Sequence, residues 1–160
     1  VNRGYSSVSA IYDAYKRFSH ALCDGEGFEK VIILYLGDHD PSGLDMIRDI
    51  KERVSEMLSV DIDEEWIDEM FEVRQIGLTM DQIDQYMPPP NPAKIKDPRA
   101  KWYIEEFGPI SWEVDALNPA TLNQLVEDAI LSEIEIDLYN NMLKIEKEDK
   151  IELRKLKDKM

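Results

Sequence analysis

Val31-Ile32-Ile33-Leu34-Tyr35-Leu36-Gly37-Asp38-His39-Asp40-Pro41-Ser42-Gly43 is the stretch on which the fold turns. Its first six residues are apolar, rich in β-branched types and too few for a helix. A run apolar on both faces predicts a central strand of a parallel sheet, buried on both sides. Gly37-Asp38-His39-Asp40 ends the run. Pro41 suits the first helical position and Asp40 suits the cap before it. A helix is therefore expected at once, with Leu44, Ile47, Val54 and Leu58 as its apolar stripe.

Upstream, Val1 to Arg3 reads as the end of a strand whose beginning is missing, and the chain as part of a longer protein. Gly4-Tyr5-Ser6-Ser7 is a turn able to cap a helix. Val8, Ile11, Tyr12, Tyr15, Phe18 and Leu22 recur at helical spacing, and Asp24-Gly25-Glu26-Gly27 stops them. Downstream, residues 61 to 72 hold seven acids and no base, a short amphipathic helix with a solvated acidic face. A second strand is expected over Phe71 to Leu78. Thr79 and Gln82 form a capping box for a further helix. Pro88-Pro89-Pro90-Asn91-Pro92 cannot be helical inside. A helix through Trp102 to Phe107 stops at Gly108, and Ile110 to Val114 is a third strand candidate. Asn118-Pro119 opens helix through the C-terminus, with a break near Ser132. Alternation of strand and helix means α/β with a mostly parallel sheet and flanking helices. The division expected is an α/β domain over 1–130, including a basic loop at 88–101, and a helical extension over 131–160.

The chain has 160 residues, 43% of them hydrophobic and 33% charged, as a soluble globular domain would. The net charge of −15 argues against a whole-surface grip on nucleic acid or anionic membrane. One cysteine, Cys23, excludes an internal disulfide framework and a Cys-rich zinc site, and a reducing, cytoplasmic setting is expected. No apolar run approaches the roughly 18 residues of a membrane span, so no membrane partner is expected.

In parallel sheets, ligands bind beyond the carboxyl ends of the strands, which makes Asp38 and Asp40 the first residues to weigh. One residue apart, they point to the same side and repel, and a divalent cation relieves that repulsion. Hard oxygen ligands few in number suit Mg²⁺, or Mn²⁺ in its place. A purely structural reading stands beside this one: Asp40 caps the helix and Asp38 is a solvated turn residue.

Asp38-His39-Asp40-Pro41-Ser42-Gly43, with the strand before it, resembles the Asp-x-Asp strand and following helix of the Toprim family, which includes topoisomerases, bacterial primases and several nucleases. The Asp-x-Asp-Pro-x-Gly form is most similar to the topoisomerase VI A subunit and its relatives. The resemblance covers residues 1 to 80 in topology and about a dozen residues in motif. It implies a Toprim-like fold, with Asp38 and Asp40 holding Mg²⁺. The family also carries a glutamate at the end of its first strand, proposed as general acid or base. Here that place falls on Asn2, Arg3 or Gly4, none of them acidic. Either another residue has taken the role, or the domain binds metal without full catalysis.

Glu113 and Asp115 repeat the one-residue spacing on the third strand candidate. Were that strand to lie beside the first, four carboxylates would meet at one edge, as in two-metal phosphodiester hydrolysis. Alternatively both lie on a solvent face with Val114 inward. Lys94, Lys96, Arg99 and Lys101 break the acidity of the chain. Lys94, Arg99 and Lys101 are candidates to position phosphate, and Asp97 either orders Arg99 or joins the metal site. His39 is expected in packing, and His20 at the surface. Trp66, Trp112 and Cys23 are expected in the core. Trp102, beside the basic loop, is a candidate stacking platform.

The function expected is Mg²⁺-dependent cleavage of nucleic-acid phosphodiesters. Asp38, Glu113 and Asp115 would be catalytic, and Asp38, Asp40 and Glu113 would be metal ligands. Nucleic acid would be bound with help from upstream parts of the parent protein, and a homodimer is allowed. The alternatives are a non-catalytic metal-binding interaction module and a phosphohydrolase for small esters. The last lacks the expected nucleophilic aspartate motif.

Overall fold

In the computed structural model, which describes residues 4–24, 28–93 and 97–157, Val31–Leu36 forms strand β1. It pairs in parallel with β2, Phe71–Gly77, from Val31 opposite Phe71 to Tyr35 opposite Gln75. The connection between them holds helix α2, Pro41–Leu58, and helix α3, Glu64–Met70. Helix α1, Val8–Cys23, precedes the pair; Ser7 caps it by accepting a hydrogen bond from the Ala10 amide. The protein is thus mixed α/β, with a small parallel sheet and a large helical share.

Parallel pairing places Val31, Ile33, Phe71 and Val73 against one core. That core is Ile11 from α1, Val54 and Leu58 from α2, Ile62, Ile67 from α3, and Phe71 from β2. Burying side chains of this size contributes about 1.5–3 kcal/mol each. The apolar spacing in α1 and the Val54–Leu58 end of α2 therefore serve one purpose, covering one face of the strand pair.

β1 is half-buried along its whole length, not buried on both faces as its composition suggested. The alternate register positions of β2 explain the difference. Glu72 and Arg74 lie there; the Arg74 guanidinium grips the Glu72 carboxylate at 2.7 and 3.0 Å, and Lys30 adds a third bond at 2.6 Å. One face of the sheet is hydrocarbon and the other carries an ion cluster.

The Thr79–Gln82 capping box is present, and it starts α4, Met80–Tyr86. Helix α5, Ala100–Phe107, stops at Gly108, whose φ of 85° is one that L side chains rarely adopt. The third strand differs from expectation. Only Ile110–Ser111 is strand, here β4, and it pairs antiparallel with β3, Asn91–Pro92, rather than joining β1 and β2. Proline cannot donate to a ladder, so the proline-rich segment supports a pairing of two residues. Val114–Ala116 turns into a short 3-10 helix instead of extending the strand. The end of a strand expected over Val1 to Arg3 lies outside the described residues.

The chain divides into two compact units, Val1–Leu122 and Asn123–Met160. The division falls inside α6, Pro119–Leu131. In the second unit, α6 ends just before Ser132, and α7, Ile136–Lys157, is exposed along its length. Among the described residues, no helix is long and apolar enough to cross a membrane. Cys23 and Trp66, expected in the core, are exposed. Trp66 lies on the acidic side of α3, where Ile67 supplies the buried position.

Arg74 and Lys30 hold the Glu72 carboxyl at about 2, well below its ordinary value of 4.5. An acid so depressed stabilises the fold fully above pH 4.5 and loses that contribution as pH falls toward 2. The melting temperature of Glu72→Gln should therefore fall less than that of the wild type across this range. Parallel curves for the two proteins would show that the ion cluster does not stabilise the sheet.

Candidate functional site

Strand pairing continues one step past β1. The Gly37 amide donates to the Gly77 carbonyl at 2.8 Å, and the Leu78 amide donates back to Gly37 at 2.7 Å. Asp38 thus leaves the sheet at its carboxyl end, the side on which parallel sheets place their ligands. The next residue is held from another direction. His39 and Trp112 exchange both backbone hydrogen bonds, at 2.8 and 3.1 Å.

The Tyr103 hydroxyl reinforces this clamp. It lies within hydrogen-bonding distance of the His39 carbonyl (2.9 Å), the Ile110 carbonyl (3.0 Å) and His39 Nδ1 (2.8 Å). The His39 ring is buried, with the Phe107 ring edge-on at 4.8 Å. Burial lowers the His39 pKa, which favours the neutral ring, and burial raises that of Tyr103. His39 is a packing residue, as its position between two aspartates implied.

Asp40 begins α2. Its Oδ1 accepts from the Gly43 amide at 2.6 Å and from the Ser42 hydroxyl at 2.9 Å, and Pro41 occupies the first turn. Gly43 is needed for steric reasons: a Cβ there would overlap the Asp38 carbonyl oxygen and press on Asp40 Oδ1. The first turn of α2 therefore lies directly against the strand end, and the spacing of Asp38, Asp40 and Gly43 records that approach. Asp38 is half-buried and Asp40 is buried. Asp38 Oδ1 accepts from the Val114 amide at 2.8 Å. The Tyr35 ring folds over Gly37. Burial first, then the negative charge of Asp38 and Asp40, pushes the Tyr35 phenol up to about 12.

The segment carrying Glu113 and Asp115 does reach this place, but as an antiparallel bridge followed by a 3-10 turn. Trp112 meets His39, Val114 binds Asp38, and the Glu113 and Asp115 side chains are exposed. Among the described residues, no group of three or more His, Cys, Asp or Glu side chains is arranged to hold a metal ion. The strand end carries two carboxylates, Asp38 and Asp40. Such a pair fits Mg²⁺, which commonly uses one or two carboxylates and takes its remaining ligands from water and phosphate.

Of the basic residues, Lys94 lies outside the described residues and Lys101 is exposed at the start of α5. Arg99 is ordered by Asp97, with Nε and Nη2 on its two oxygens at 2.7 and 2.9 Å. Arg99 Nη1 also reaches Asp45 at 3.2 Å. Asp45, which the sequence did not single out, additionally accepts from Arg48 Nε at 2.8 Å and from the Tyr5 hydroxyl. Its i,i+3 spacing to Arg48 was the available signal. Tyr103 and Trp112 carried none, because both act through partners distant in sequence.

No family model matches this sequence, and no curated protein or solved structure matches it either.

Replacing Gly43 by alanine should cost about 1–3 kcal/mol, the usual penalty for inserting a methyl group where none fits. Urea unfolding of Gly43→Ala measures this. Unchanged stability would mean that the first turn of α2 does not press on the strand end.

Proposed function

We propose that this chain is a Mg²⁺- or Mn²⁺-dependent nuclease domain of Toprim-like design, cleaving nucleic-acid phosphodiesters with Asp38 and Asp40 as its metal ligands. One observation carries the reading. The two aspartates stand at the carboxyl end of a parallel strand, fixed by the close approach of Gly43 and by hydrogen bonds from the Gly43 and Val114 amides.

A divalent ion there would neutralise phosphate charge and make a bound water a better nucleophile. The chain's own residues hold the rest of the site in place. The Val114 amide orients Asp38. Glu113, next to Val114 and exposed, is the candidate to take a proton from water, with Asp115 beside it. Lys101, together with Lys94, is the candidate to position phosphate; Arg99, expected in that role, is already held by Asp97 and Asp45. The natural partner in this reading is nucleic acid, bound with upstream parts of a longer protein, in a cytoplasmic setting.

A second reading has its own support. Arg99 is already engaged by Asp97 and Asp45, and the described residues bring no third carboxylate to the pair. Both facts suit a metal-binding interaction module that does not cleave.

Plasmid nicking with Mn²⁺ or Mg²⁺ separates the two. The nuclease reading expects nicking that drops on the order of 100-fold in Asp38→Asn, the scale of removing one preorganised electrostatic group. An intact plasmid alongside metal binding would favour the module.

A further inference from the structure

One turn beyond Asp40, helices α2 and α5 form a groove of about 360 Å³ lined by Leu44, Asp45, Arg48, Arg99 and Trp102. Its size falls in the range of small-ligand sites. Trp102 is 52% exposed, and the Phe107 ring meets it edge-on at 6.0 Å. Leu44 adds an apolar wall. The Arg99 guanidinium lies over the Tyr5 ring, 5.2 Å from its centroid. An aromatic face, an apolar wall and immobilised guanidinium groups are the parts from which proteins build stacking platforms for bases.

We infer that this groove seats an unpaired nucleobase, stacked on Trp102, from the strand whose phosphate meets Asp38 and Asp40. The inference rests on the nuclease reading and adds a substrate class to it. Charge decides for a base over a second phosphate. Arg48 is engaged by Asp45 and Glu52, and Arg99 by Asp45 and Asp97. Three carboxylates thus surround two guanidinium groups, and a phosphate gains little there, whereas a neutral flat ring keeps its full stacking energy. Asp45 also offers an acceptor to the exocyclic amine of a base. Placement agrees: Leu44 is four residues past Asp40, about 6 Å along the helix. A base stacked within a duplex does not present a free face to Trp102, so the substrate has a single-stranded or unpaired position beside the cut.

Anisotropy titrations of the full chain in Ca²⁺ test this. One probe is a labelled single-stranded DNA oligonucleotide, and the other is the same strand with abasic sites. Trp102→Ala should weaken binding of the intact strand roughly 5- to 150-fold and change binding of the abasic strand less than about twofold. Trp102→Phe should restore most of the affinity for the intact strand. Equal losses on both strands, or none on either, would overturn the inference. If the wild type nicks plasmid while Trp102→Ala binds as it does, the base site alone fails. If the wild type binds neither strand and nicks nothing, the nuclease reading fails and the base site with it. Thermal melting of Trp102→Ala, a surface substitution, confirms that the variant is folded.

Discussion

The first turn of α2 presses against the backbone of Asp38, and the carboxyl end of the strand pair is organised by that contact. It requires a residue without a Cβ at position 43. It also brings the Asp40 side chain onto the Gly43 amide and sets two carboxylates near the Tyr35 hydroxyl. Apolar burial by α1, α2 and α3 on one face of the strand pair supplies the platform.

The second constraint is the clamp from outside the sheet. The backbone of His39 is bound by Trp112, its ring and carbonyl by Tyr103, and its neighbour Asp38 by the Val114 amide. The segment between 103 and 114 thus supports the site mainly through backbone groups and one tyrosine hydroxyl. Burial of the His39 ring, which lowers its pKa, favours the neutral form that packs there.

Local signals were legible in the sequence. Pro41 after Asp40, the Thr79–Gln82 pair, Gly108 and the Asn118–Pro119 step marked helix ends through chemistry confined to a few residues. The run from Val31 to Leu36 marked β1 by composition alone. Features set by distant partners were not legible. The Ile110–Val114 stretch has the composition of a strand, but what it pairs with depends on where the proline-rich segment and His39 lie. Its Glu113 and Asp115 therefore came out on an exposed turn rather than at a sheet edge. The Asp97 partner of Arg99 was within reach of the sequence, two residues away, whereas Asp45 is 54 residues away and was not. Trp66 and Cys23 followed the usual burial of their types, but the buried positions beside them are filled by Ile67 and by Leu22 packed on the core.

The most direct measurement is a calorimetric Mn²⁺ titration of the chain, with Asp38→Asn and Glu113→Gln run beside it. If the strand-end pair is a metal site, the wild type binds and Asp38→Asn does not. Glu113→Gln then reports whether the exposed glutamate contributes a ligand. Binding that persists unchanged in Asp38→Asn, or no binding by the wild type, would leave Asp38 and Asp40 as a turn residue and a helix cap.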